Sequence, residues 1–230
     1  MLEILIAAAS RTELAALQID TDCYALGENA HFSFLTDRGD CVGAVPTAVS
    51  IMRIATSQRF DFAINLGFCG ARDKSLTIGE SVVVSHDTFF DYGFVRPSGF
   101  EPLQATPFPM HHCDSDGWIV ATAPCLLKCI HSPLRVRRGY TMAFPSQGEP
   151  ISAFGRAFPN SSVETMEGAA FAFATSELGI PALSIRSVSN YCAPGEAAQW
   201  SIQKAQKGVH EAFIAALGII RLYLGNKDEW

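Results

Sequence analysis

The feature that most limits what this chain can fold into is a series of short, continuous apolar runs separated by stretches of helical spacing. Residues 2–8 are apolar at strand length, and Ser10 is placed to cap a helix beginning at Arg11. Residues 32–35 read as a further strand, 44–58 as a helix, and 60–66 as a buried strand ending at Gly67. Residues 80–85 contain Val82-Val83-Val84, another strand; 116–130 read as a helix and 139–144 as a strand. A strong helix over 165–178 closes at Gly179 with Pro181 beyond it, followed by a strand over 182–189 and a long amphipathic helix over 201–224. Strands that are apolar throughout, rather than alternating, need cover on both faces. The pattern therefore predicts an α/β fold of three layers, α/β/α, around a central mixed, largely parallel twisted sheet. At 230 residues, one domain spanning 1–230 is expected, with the Pro-rich segment 97–109 as a surface excursion. Ligand sites in such sheets lie beyond the carboxyl ends of strands.

Charge narrows the class of partner. Charged residues make up 17% of the chain, against roughly 25% in a typical soluble domain. Lys+Arg number 17 and Asp+Glu 23, a net charge of −6 with no basic stripe, which excludes nucleic acid or an anionic membrane as the main partner. So little charge also points to a surface covered by another subunit, a homodimer or higher homo-oligomer. No basic segment precedes the first apolar run, and no apolar run approaches the ~20 residues that span a bilayer, so a cytoplasmic protein is expected. The 7 cysteines are odd in number and lack C-x-x-C spacing, as reduced structural thiols would be. His111-His112-Cys113 has the composition of a metal cluster, but nothing nearby in sequence completes a ligand set. It reads as a polar loop, with no metal expected.

Three strand ends carry polar groups inside apolar surroundings. After the first, Ala7-Ala8-Ala9-Ser10-Arg11-Thr12-Glu13 contains no G-x-G-x-x-G, so a dinucleotide fingerprint is not supported. Gly67-Phe68-Cys69-Gly70 is a weak signal on its own, and its glycines let a backbone approach a ligand or a helix. At the second, Val163-Glu164-Thr165-Met166-Glu167-Gly168-Ala169-Ala170 brings Glu164 and Glu167 into an almost wholly apolar helix. The positive helix N-terminus accounts for one glutamate. A second one favours a site that grips hydroxyl groups. At the third, Ile185-Arg186-Ser187-Val188-Ser189-Asn190 ends a buried strand in polar groups, and Asn190 alone would be read as a turn residue.

Together these segments resemble the nucleoside phosphorylase and nucleosidase superfamily. Glu13, the Val163–Ala170 and Ile185–Asn190 segments, Asn65-Leu66-Gly67-Phe68-Cys69-Gly70-Ala71, Ile78-Gly79-Glu80-Ser81 and Val42-Gly43-Ala44-Val45 fall in its order from end to end. Met166-Glu167-Gly168-Ala169-Ala170 and Ser189-Asn190-Tyr191, with Trp200 and Ile202 downstream, are most similar to its futalosine-hydrolase branch. The related methylthioadenosine/S-adenosylhomocysteine nucleosidases carry aspartate where this chain has Asn190. The resemblance implies a phosphorylase/hydrolase-like fold, a small-molecule nucleoside substrate and no cofactor.

By the same resemblance, Glu167 holds the ribose 2′- and 3′-hydroxyls, Met166 packs under the sugar, Glu13 activates a water, and Glu164 supports the site. Phe68, Cys69 and Gly70 border the base, with Phe144 and Gln147 as weaker candidates, and Tyr191 and Trp200 are as readily core as pocket. Hydrolysis rather than phosphorolysis is expected, because the loop at residues 67–70 lacks a hydroxyl residue and that at 42–45 lacks an arginine. Arg11 is the one residue that would reverse this. An amide at Asn190 donates to O6 and accepts from a protonated N7, which suits a 6-oxopurine such as hypoxanthine. Arg96, His111 or His112 would hold a carboxylate on the 5′ side.

Overall fold

The computed structural model describes residues 1–17, 30–103, 106–107, 110–131, 133–145, 161–192 and 200–226. Its strands are β1 (Leu2–Ala7), β2 (Ala30–Phe34), β3 (Phe62–Ala71), β4 (Ser81–Asp87), β5 (Gly93–Arg96), β6 (Gly99–Pro102), β7 (Ile119–Val120), β8 (Arg135–Thr141), β9 (Val163–Thr165) and β10 (Ala182–Tyr191). The helices are α1 (Arg11–Ala16), α2 (Ala44–Ala55), α3 (Pro124–Leu127), α4 (Gly168–Leu178) and α5 (Ile202–Gly225). β2, β1, β3 and β10 run parallel to their neighbours. β10 is antiparallel to β4, which is parallel to β8; β8 is parallel to β9, and β9 is antiparallel to β3. Strands β3, β10, β4, β8 and β9 therefore close into a ring, with β1 and β2 as a parallel extension. β7 adds to β4, and β5–β6 form a separate hairpin.

The alternation within β1 shows why the sheet needs two helical layers. Ile4 and Ile6 enter a core with α5 residues Val209, Phe213 and Leu217, together with Leu126 of α3. Leu5 and Ala7 enter the opposite core, with Ile51 of α2 and Phe171 and Ala174 of α4. Each such fully buried side chain contributes roughly 1.5–3 kcal/mol. The layers are thus α1, α3 and α5 on one face and α2 and α4 on the other, as the apolar runs require. α5 is long and apolar enough to cross a bilayer by length and composition. Its apolar stripe, Ala205, Val209, Ala212, Phe213, Ala216 and Ile220, instead lies buried in the protein at helical spacing.

Several elements differ from the sequence expectation. The helix expected over 116–130 is a short strand, β7, followed by the single turn α3, because Pro124 fixes a helix start and disfavours helix before it. Residues 163–165 form a strand, so α4 begins only at Gly168. β3 continues through Gly67 to Ala71 instead of ending there. Within the 97–109 excursion, Gly99–Pro102 forms β6, the second strand of the β5–β6 hairpin. The 6 cysteines among the described residues are all free thiols.

Candidate active site

Glu13 is positioned by the first turn of α1. Ser10 caps that helix in a reciprocal capping box: its hydroxyl accepts from the Glu13 N–H at 3.2 Å, and Glu13 Oε2 accepts from the Ser10 N–H at 3.0 Å. The other oxygen, Oε1, accepts from the Phe68 N–H of β3 at 2.8 Å. The carboxylate is thus fixed between two elements, and it is buried at 6% exposure. Passage of β3 beneath it requires Gly67, where a methyl group would collide with Glu13 Oε1 and with Nη1 of Arg186.

Glu167 stands at the N-cap of α4, yet its side chain does not cap the helix. Oε1 accepts from the Gly43 N–H at 2.9 Å, and Oε2 lies 4.0 Å from Arg186 Nη1. Gly43 presents that N–H from φ +98°, a backbone region that side chains disfavour. Burial raises the Glu167 carboxyl above the usual carboxylate range, against the opposing effects of Arg186 and Gly43, and the Glu13 carboxylate adds to the rise. α4's own first N–H groups are satisfied elsewhere. Gly168 N donates to the Thr165 hydroxyl at 2.9 Å and Ala169 N to the Thr141 hydroxyl at 2.7 Å.

Arg186 of β10 is 1% exposed and donates from Nη2 to Asn65 Oδ1 at 2.7 Å. Its Nε and Nη1 have no hydrogen-bond partner among the described residues. A buried guanidinium with open donors, beside Glu13 and Glu167, marks a place where a ligand or water completes the bonding. Arg186 lies in the Ile185–Asn190 segment, where no role was expected of it. A lone charge inside a buried strand was the signal that could have found it.

On the opposite side Asn190, Ser189 and Cys69 are neutral. Asn190, 2% exposed, accepts at Oδ1 from the Ser189 hydroxyl at 2.8 Å, and Nδ2 donates to Tyr191 O at 3.4 Å. The second Nδ2 hydrogen has no recorded partner among the described residues. A register shift between Val188 and Asn190 in the β10–β3 ladder sets the amide at this strand end. Burial pushes the Cys69 thiol up, which keeps it protonated. Glu164 of β9 accepts from the Tyr140 hydroxyl at 3.0 Å.

A cavity joins these groups. It is lined by Ser10, Glu13, Phe68, Cys69, Gly70, Glu164, Met166, Glu167 and Asn190, with Pro145 and Trp200 at its edges. Phe144 is half exposed and does not line it; the neighbouring Pro145 does. Gln147 lies outside the described residues. Tyr191 packs into the core and donates to Leu76 O at 2.9 Å. Arg11 is exposed, its N–H on Asp40, and is not part of the lining. The cations considered for the 5′ side are also elsewhere: Arg96 pairs with Glu101, and His111 and His112 pair with Glu177.

Fold and family agree. The family model of the phosphorylase superfamily matches residues 23–224, and the chain belongs to that superfamily. Within it, 159 residues, 68% of this chain and 68% of the relative, are 27% identical to the 5′-methylthioadenosine/S-adenosylhomocysteine nucleosidase of Staphylococcus aureus strain MRSA252. Among solved structures, that nucleosidase from S. pneumoniae with the transition-state inhibitor MT-ImmA superposes with TM-score 0.70 at 19% identity, covering 95% of this chain and 100% of that one. The native futalosine hydrolase of Helicobacter pylori strain 26695 superposes with TM-score 0.66 at 18% identity, covering 98% of each. At these identities the structural likeness establishes the fold. The relatives named are nucleosidases and a nucleoside hydrolase, which are glycosyl hydrolases.

Proposed function

We propose that the chain hydrolyses the N-ribosidic bond of futalosine, releasing hypoxanthine and dehypoxanthine futalosine in menaquinone biosynthesis. The observation that carries this is a cavity with two unlike sides, Glu13 and Glu167 on one, with Arg186 buried beside them, and Phe68, Cys69, Gly70 and Asn190 on the other. Cleavage of an N-ribosidic bond builds positive charge on the sugar and negative charge on the base. Carboxylates beside the sugar and neutral hydrogen-bonding groups beside the base match that separation.

Glu13, held by Ser10 and Phe68, orients a water and takes its proton as that water attacks the anomeric carbon. The open Nη1 of Arg186 donates to the same water. Glu167 accepts from the ribose hydroxyls, and Met166 packs against the sugar. Phosphate is disfavoured as the nucleophile. The guanidinium stands among carboxylates, and the first α4 N–H groups are already donated to Thr165 and Thr141. Ser189 engages Asn190 Oδ1, leaving an Nδ2 hydrogen for O6 or N7 of a 6-oxopurine.

A second substrate is favoured by a specific finding: the curated relative at 27% identity acts on methylthioadenosine and S-adenosylhomocysteine. An Asn190 amide turned over would face a 6-amino group. The two are separated by incubating the protein with futalosine, inosine and methylthioadenosine, with and without phosphate, and following free base. Fast phosphate-independent release from futalosine is expected. Release confined to methylthioadenosine, or dependent on phosphate, overturns the assignment.

A second copy of the chain is proposed to cover α2. Val45, Val49 and Met52 are exposed there at 69%, 60% and 38%, beside an apolar hollow lined by Val45, Phe89, Tyr92, Met110 and Phe173. Sedimentation of the purified protein should give a dimer or larger, and Val45→Lys with Val49→Lys should give a monomer.

A further inference from the structure

Away from the cavity, the fold brings together one further group of ligating side chains among the described residues: His111, His112 and Glu177. Nε2 of His111 lies 3.1 Å, and Nε2 of His112 2.8 Å, from the same oxygen, Oε2 of Glu177. The three donor atoms all lie within 4.8 Å of one another. Neighbouring residues of an extended chain direct their side chains to opposite sides. These two converge, and His112 has φ +61°, the one positive φ at a non-glycine residue among the described residues. That conformation costs on the order of 1 kcal/mol for such a residue. Both imidazoles rest edge-on against Phe173, with ring centroids 4.9 and 5.6 Å away. Phe173 precedes Glu177 by one turn of α4, so a single helix face supplies both the shelf and the carboxylate.

We propose that His111, His112 and Glu177 form a binding site for a divalent transition-metal ion of the zinc class. Imidazole nitrogens select such ions over calcium or magnesium, which take oxygen ligands. Metal–ligand lengths of about 2.0–2.2 Å in a tetrahedron put ligand atoms roughly 3.4 Å apart. The two histidine–glutamate spacings need to widen by only a few tenths of an ångström, and the third closes by rotation of exposed side chains. Side-chain exposures of 69%, 34% and 46% leave the remaining position open to water. On binding, each imidazole presents its Nε2 lone pair and keeps its proton on Nδ1; any proton shared with Glu177 is released to solvent. The ion ties the segment after β6 to the end of α4, 65 residues away in sequence. The sequence alone supplied two histidines and a cysteine without a completing ligand; the fold supplies Glu177, while Cys113 packs against a core cluster.

The test is titration of the full-length, thiol-reduced protein with Co(II), followed in the visible and near ultraviolet, then displacement by Zn(II). One equivalent should bind with d–d bands and without a thiolate charge-transfer band. Glu177→Gln and His112→Asn should each weaken binding by about tenfold or more. Asparagine at 112 accepts the left-handed backbone, so this variant removes the ligand without the turn. Absence of saturable binding, a thiolate band, or binding as tight in either variant as in the unsubstituted protein overturns the proposal.

Discussion

The two sides of the cavity are built from neighbouring strand ends but on different electrostatic terms. On one, Glu13 and Glu167 are ionisable groups packed at 6% exposure each, with Arg186 at 1% beside them. On the other, Asn190, Ser189, Cys69 and Gly70 are neutral and hydrogen-bonded among themselves or to backbone. Burying charge is costly unless it is paired and fixed, and each carboxylate here accepts from a backbone N–H of another element, Phe68 or Gly43. The charged side is therefore preorganised for a reaction. The neutral side forms a shape and a hydrogen-bond pattern, which is what discrimination between bases needs. Reactivity and selectivity should then respond separately to mutation.

The largest effect is expected at Glu13. Glu13→Gln keeps the capping geometry but removes the base, and kcat should fall by about 10²–10⁴-fold. Product binding, measured by calorimetry, should stay nearly unchanged. Equal turnover would place the base elsewhere. Glu167→Gln weakens charge-assisted bonds to the ribose, and kcat/KM should fall by about 10²-fold for every nucleoside tested. A loss that depended on the base would break the division between the two sides. Asn190→Asp probes the neutral side, where the ratio of 6-amino to 6-oxo nucleoside kcat/KM should rise by about tenfold. An unchanged ratio removes the amide from base selection.

The smallest effect concerns stability and a further carboxyl buried near the site. Asp87 is fully buried, accepts from the Thr141 hydroxyl at 3.0 Å, and leaves Oδ2 without a hydrogen-bond partner among the described residues. Burial raises its pKa from 3.8 to about 7. The folded protein then holds a proton that the unfolded chain gives up, so its contribution is full below pH 3.8 and is lost as pH rises through about 7. Asp87→Asn should flatten the decline of Tm over that range by several degrees. An unchanged pH profile of thermal unfolding would show that Asp87 does not titrate there.

Much of this was legible in the sequence, for reasons that differ by element. The strands β1, β4 and β10 and the helices α2 and α5 announce themselves by apolar pattern, because burial on one or two faces writes a period into the chain. Residues 116–130 did not: the pattern looked helical, but the tertiary pairing of β7 with β4 and the start imposed by Pro124 prevail. Glu167 stood out as a charge in an apolar segment, and Glu13 through the family resemblance. Arg186 escaped notice because its partners come from elsewhere in the chain, Asn65 121 residues away. The Gly43 N–H has no signature beyond a glycine before a helix. Phe144 falls one residue short of the cavity edge at Pro145, the kind of offset that a loop allows and a strand does not.

The central claim is that Glu13 delivers water to the anomeric carbon of a 6-oxopurine nucleoside. Running one turnover on futalosine in ¹⁸O-labelled water, followed by mass spectrometry of the products, tests it most directly. The account predicts one ¹⁸O in the released sugar, none in hypoxanthine, and the same yield with or without phosphate. A sugar phosphate formed only when phosphate is present, with no label from water, would contradict it.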